Sequence, residues 1–348
     1  MGGTTARAGL SVLALLLVTA CSAPKNTDTP QRTGAPRCTG PATAVSQPSV
    51  QPIATGSTPR LPVTYTDLTD KPVTITDASR ILALDTYGTL ATTVHALGLG
   101  DRLVGRDVST GLPELAHLPL VTHNGHELNG EAILDLRPSV VLTDYSIGPL
   151  EVQLQLRDSG IPVVIMSDQR SREQISPQIK AVATALGVPE IGDRLAERVE
   201  RDTEAAVARV AELAPAQAGD RLRMVFLYMR GNAGVYYWFG PGSGADDLIE
   251  GLGGVDVAAE AGLSGMRPLN AEGLTRADPD IFLMMTKGLE SVGGLPGLLE
   301  VPGIAETSAG ANSCVVDMSD YQILSFGPQF PATLDALAEA IYRKAIRS

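Results

Sequence analysis

The sequence predicts an α/β protein built as two similar lobes with mostly parallel sheets. One long helix joins the lobes, and a ligand cleft lies between them. Three observations carry this prediction. Short apolar runs alternate with helical segments, the pattern of a parallel sheet covered on both faces. Residues 128–142 have a weaker copy at 269–283: Leu128, Asn129, Glu131, Pro138 and Leu142 align in step with Leu269, Asn270, Glu272, Pro279 and Leu283. Residues 191–213 form one long amphipathic segment with no glycine or proline after Gly192.

Taken in order, the chain opens with a single charge, Arg7, and an apolar run at 10–18 that ends in small residues and Cys21. The run is too short to span a bilayer, which takes about 20 residues. It has the form of a secretory signal, so residues 1–20 are expected to be a signal peptide. A cysteine directly after the cut resembles a bacterial lipobox. That resemblance implies lipid on Cys21 and attachment to a membrane. Residues 21–60 are rich in Pro, Thr, Ser and Ala without a hydrophobic period, as expected of a flexible tether.

The first lobe is expected over 61–170. Residues 62–76 alternate β-branched and polar residues around Thr69-Asp70-Lys71, a hairpin pattern. Strands are expected at 81–84, 103–105, 140–143 and 163–166, and helices at 89–97 and 150–158. Asn129 is placed to cap a short helix that Pro138 stops, with Glu131 favoured in its first turn. Linking helices follow over 171–218. In the longest, Leu195, Val199, Ala206, Val207 and Val210 recur at helical spacing. About 20 residues of helix span about 30 Å, enough for a strut between lobes. The second lobe, 219–348, is expected to hold strands at 224–228, 235–239, 281–285 and 315–316, closed by a helical tail.

The net charge of -12 argues against a nucleic-acid partner, whose phosphates require clustered cations. No P-loop, dinucleotide-binding glycine fingerprint, HExxH, nucleophile elbow or CxxC occurs, so nothing asks for an enzyme. Cys38 and Cys314 are left over in an exported chain. They form a candidate disulfide, the alternative being two free thiols.

Four histidines are present: His95, His117, His123 and His126. They make no spaced zinc motif. His126 lies in a Gly/Asn-rich loop just before the Asn129 cap, near strand ends where open α/β sheets bind ligands. A neutral imidazole there suits iron, and His123 is the fallback. In the second lobe Tyr228 ends an apolar strand. Residues two apart on a strand share a face, which puts Arg230 beside it. Tyr236 and Tyr237 are rival phenols. Trp238 and Met285 are possible pocket walls, with core packing as the alternative for both.

The lipobox, the paired lobes, the strut helix, the loop NGHELN and the segment LYMRGNAGVYYWFG together resemble haem-binding lipoproteins of ABC importers, the HmuT type. The similarity covers residues 60–348. It implies a monomeric substrate-binding lipoprotein on the outer face of the cytoplasmic membrane. Such a protein captures ferric haem b as transported ligand and passes it to an ABC permease. Carried onto this chain, the axial ligands are His126 and Tyr228, with Arg230 supporting tyrosinate. Glu131 and Glu272, matched by the repeat, fall where one acidic residue per lobe docks on the permease. The alternatives are the same fold binding a ferric siderophore or a corrinoid, an exported enzyme, and an adhesion protein.

Overall fold

The computed structural model describes residues 1–2, 38, 40–47 and 49–345. The expected signal segment and Cys21 lie outside the described residues. Among the described residues no helix is long and apolar enough to cross a membrane.

The chain enters the described body through β1 (Ala42–Ala44) and a hairpin of β2 (Val63–Thr66) and β3 (Pro72–Ile75). The first lobe then builds a parallel sheet in the order β4 (Ile81–Leu84), β7 (Val140–Thr143), β8 (Val163–Ile165). These strands are buried on both faces, which is why they read as unbroken apolar runs. Leu82, Leu84, Val141, Val163 and Ile165 pack with Ile133 of α2 (Gly130–Asp135) and Leu156 of α3 (Leu150–Asp158). Ile81, Ala83, Val140, Leu142 and Val164 point the other way. They join a core shared with α1 (Thr89–Val94) and α4 (Arg172–Ala185). Each such Val or Leu contributes about 1.5–3 kcal/mol by burial, and a one-residue slip would exchange the two faces. The strand expected at 103–105 reduces to a single bridge, Ile81 to Leu103.

The strut is α5 (Pro189–Leu213), whose first position is a proline, a favoured place because no backbone N–H is needed there. Its buried stripe is Leu195, Ala196, Val199, Ala206 and Val210. It packs on α4 and on the C-terminal helix Phe330–Glu339, to which Arg209 is paired through Asp335 at 2.7 Å.

The second lobe centres on β9 (Arg223–Arg230). The sheet order is β1, β14 (Val315–Met318), β13 (Ile281–Met285), β9, β10 (Val235–Phe239), β12 (Met266–Pro268), and β11 (Val255–Asp256) pairs with β9. β1, β14, β13 and β9 run parallel, whereas β10 and β12 are antiparallel. Helices α6 (Ala245–Gly251), α7 (Val257–Glu260), α8 (Ala271–Ala277) and α9 (Thr286–Ser291) connect these strands. The repeat is visible in the caps. The Asn129 side chain accepts from the Ala132 N–H at the start of α2, and Asn270 accepts from the Glu272 and Gly273 N–H groups at the start of α8.

A second expectation shifts. The tether predicted to run to residue 60 ends sooner. β1 adds an edge strand to the second lobe. Next, Val50 is buried, the Ile53 N–H donates to the Ala96 carbonyl, and the Ser57 hydroxyl donates to the Leu97 carbonyl of the first lobe. Proline-rich composition suggested disorder, but backbone pairing and a few apolar anchors suffice to dock the segment. Cys38 and Cys314 are joined in a disulfide, with Cα atoms 5.8 Å apart.

Candidate functional site

The histidine arm is a small hairpin and not an open loop. β5 (Thr122–His123) and β6 (Glu127–Leu128) pair antiparallel, with His123 opposite Glu127. The turn needs left-handed backbone at Asn124 and Gly125, with φ of 46° and 91°, conformations that Asn and Gly tolerate best. His126 closes this turn. It is half-buried, and its Nδ1 lies 3.3 Å from Ser109 Oγ. Burial, and then the positive charge of Arg230, hold the imidazole below the usual histidine range, so it is neutral near pH 7. His123 instead is exposed, 3.6 Å from Glu127.

The tyrosine arm grows from the centre of the second sheet. The register of β13 against β9 ends at Leu227, so Tyr228, Met229 and Arg230 run beyond it, paired only with β10. Tyr228 and Arg230 share a face, as the two-residue period predicts. The phenol ring stacks on Phe239, with centroids 5.7 Å apart and planes at 15°. The Arg230 guanidinium lies 4.5 Å from the same ring centroid. Arg230 is anchored in turn: its Nη2 donates to Asp320 Oδ1 at 3.2 Å and to Met285 Sδ at 3.8 Å, and its Nη1 donates to the Met229 carbonyl at 2.9 Å. Asp320 also accepts from the Lys287 N–H at 3.0 Å, and the Lys287 ammonium donates to the Tyr321 hydroxyl at 2.7 Å.

The possible pocket residues divide. Tyr237 sits directly opposite Tyr228 across the β9–β10 pair and is half-buried. Met285 touches Arg230. Trp238 does not belong with them. It is the next residue along β10, so it points to the opposite face, where it is buried and packs on Gly273 of α8. Strand alternation makes Tyr237 and Trp238 mutually exclusive as walls of one pocket. Glu131 and Glu272 are both exposed in the first turns of α2 and α8.

From the tyrosine arm, Arg230 disfavours the protonated form of His126 and Asp320 favours it. Behind the histidine arm lies a group that sequence reading passed over. Asp85, Asp107 and Asp144 are buried; Asp85 directly follows β4, Asp144 directly follows β7, and Asp107 lies in the loop after the Leu103 bridge. Arg170 bridges Asp85 at 3.3 Å and Asp144 at 2.9 Å and stacks over Tyr87 at 4.6 Å. Asp85 accepts from the Thr89 and Leu90 N–H groups at the start of α1. Asp107 accepts from the Asp85, Ser109 and Thr110 N–H groups. Burial, and then the charge on Asp85, push both Asp107 and Asp144 well above the usual carboxylate range. The legible signal was an aspartate directly after two strands, Asp85 and Asp144; their convergence on Arg170 was not legible. Among the described residues no cluster of three or more His, Cys, Asp or Glu side chains could hold a bare metal ion.

Residues 86–321 match the periplasmic binding protein family. The haem-binding protein HmuT is 46% identical to this chain, covering 88% of this chain and 98% of its own, with a TM-score of 0.84. Solved variants of HmuT replace a histidine, a tyrosine, or an arginine two positions after the tyrosine, by alanine. RhuT, a periplasmic haem-binding protein from Roseiflexus sp. RS-1 solved in its apo form, is 35% identical over 77% of this chain and 100% of its own, with a TM-score of 0.70. The ABC transporter substrate-binding lipoprotein YvrC of Bacillus subtilis (strain 168) is 25% identical over 285 residues, 81% of this chain and 86% of YvrC.

Proposed function

The chain belongs to the periplasmic binding protein family, whose members bind and deliver substrates and are not enzymes, and from that premise we propose that it captures ferric haem between its lobes and delivers it to an ABC importer. The observation that carries this reading is the pair of arms. A neutral, half-buried imidazole on the first lobe feels the charge of the Arg230 guanidinium, which lies over the Tyr228 ring on the second. Imidazole and phenol are both able to ligate haem iron axially. His126 would bind one side of the iron and Tyr228 the other. Arg230 supplies a fixed positive charge over the face of the phenol ring. The Tyr-x-Arg spacing matches the pair of positions altered in HmuT, and the identity of 46% extends over nearly the whole of both chains.

Delivery follows from the same family logic. Glu131 and Glu272 are exposed at equivalent helix starts, one per lobe, and are proposed to dock on basic residues of the permease. Cys21 is proposed to carry lipid that holds the protein at the outer face of the membrane. The affinity needs no covalent chemistry: it would come from two axial bonds and apolar burial of the porphyrin.

The test is titration with hemin followed by absorption. A shifted Soret band saturating at a fixed stoichiometry is expected, weakened in His126→Ala and in Tyr228→Ala. Absence of a bound band rejects haem as the ligand. A bound band unchanged in both variants rejects the ligand assignment while leaving haem in place.

A further inference from the structure

A histidine on a turn needs something to aim it. An imidazole binds metal through one nitrogen, and the hydrogen bond made by the other sets the tautomer and the ring plane. His126 stands at the end of a three-residue turn and is exposed enough to rotate. Its Nδ1 is nevertheless engaged, 3.3 Å from Ser109 Oγ. Ser109 lies 17 residues earlier in the chain and is itself only 3% exposed.

Ser109 is held from three directions. Its N–H donates to Asp107 Oδ1 at 2.8 Å, and the neighbouring Thr110 N–H donates to the same oxygen at 2.8 Å. Its carbonyl abuts Gly88, where a Cβ would come within 2.3 Å of the Ser109 oxygen. Gly88 has φ of 66° and precedes α1, so only glycine allows both that conformation and that approach. The loop is also tied to the hairpin itself, because the Val108 N–H donates to Thr122 Oγ1 at 3.1 Å at the start of β5. The loop 107–110 is therefore tied directly to the base of the hairpin 122–128.

We infer that Ser109 is a positioning residue for His126: its hydroxyl oxygen accepts the Nδ1 proton and so presents Nε2, unprotonated, toward the second lobe. This rests on His126 being the first-lobe ligand. Asp107 acts one step further back, by fixing the backbone that carries Ser109. The bond costs the protein no reorganisation when ligand arrives, because both partners are already in place.

The closing experiment has two independent arms. Ligand-free protein labelled with 15N-histidine is examined by NMR at neutral pH. The wild type is expected to hold His126 as the Nδ1–H tautomer, and Ser109→Ala is expected to lose that single-tautomer signature. Separately, hemin is titrated into the same proteins. Ser109→Ala is expected to bind about 10–100-fold more weakly, the range for loss of an outer partner of a metal-bound histidine, with an altered ferric spectrum. Ser109→Thr keeps the hydroxyl and is expected to restore both signatures. Thermal melts identify a variant that has lost its fold. A His126 tautomer and hemin affinity in Ser109→Ala equal to wild type overturn the inference, as does a wild-type ring in the Nε2–H form. The NMR arm needs no hemin, so its failure is distinct from failure of the ligand assignment, which His126→Ala tests.

Discussion

The two arms of the site are built on different physical plans. The histidine arm is a turn, and its ring is held at one edge by one hydrogen bond from a neighbouring loop. The tyrosine arm is the overhanging end of a central strand, and its ring is held on its faces, by Phe239 and by Arg230. Edge control depends on a single polar contact. Face control depends on packing, which is spread over many atoms and survives small displacements. Tyr228 is thus the rigid half of the pair and His126 the adjustable half. In the function proposed above, the rigid half would define where ligand sits, and the adjustable half would be the one a partner disturbs.

Predictions that break or sharpen this contrast run from large to small. Tyr228→Ala removes the rigid ligand and is expected to weaken hemin binding by more than about 100-fold, beyond the loss expected for an outer partner alone; a Soret titration reads it. His126→Ala is expected to weaken binding less than Tyr228→Ala does, and adding His123→Ala to it is expected to change nothing further, because His123 is exposed and occupied by Glu127. Equal losses in the two single variants would erase the distinction between rigid and adjustable arms. Arg230→Ala is expected to cost about 10-fold and to shift the ferric spectrum, since it frees one face of the Tyr228 ring. Trp238→Phe is expected to leave the hemin spectrum unaltered and to lower the melting temperature, because the indole sits under α8 and not at the site.

The smallest expected effect is pH-dependent. Asp107 and Asp144 have carboxyls raised in the folded state by burial and by Asp85, Asp107 to about 7. Groups raised on folding favour the folded state below their unfolded range and lose that contribution as pH climbs through the folded value. Melting temperature is therefore expected to drop from pH 5 to pH 8. A flat or rising profile across that window would mean that the cluster does not titrate as its burial requires.

Much of this was legible in the chain. Unbroken apolar runs with short helices between them implied covered parallel strands, and the Asn129/Asn270 caps follow from residue chemistry alone. The two-residue period put Arg230 on the same face as Tyr228. The same period separates Tyr237 from Trp238, but which face was apolar core depends on α8, far along the sequence. Ser109 and Asp320 were not legible because their roles lie in contacts between loops, across 17 residues to His126 and 90 residues to Arg230. The early end of the tether was hidden for a related reason. Composition reports what a segment can do alone, whereas β1 is ordered by the open edge of β14.

The buried acids behind the histidine arm make the first lobe a scaffold that responds to mild acid. As surroundings acidify, Asp107 and Asp144 take up protons that suit their buried positions. Asp107 in turn holds the backbone of Ser109, whose hydroxyl lies against His126. The support beneath the histidine arm is thus a store for protons, tightened at a pH where a surface carboxylate would not yet respond.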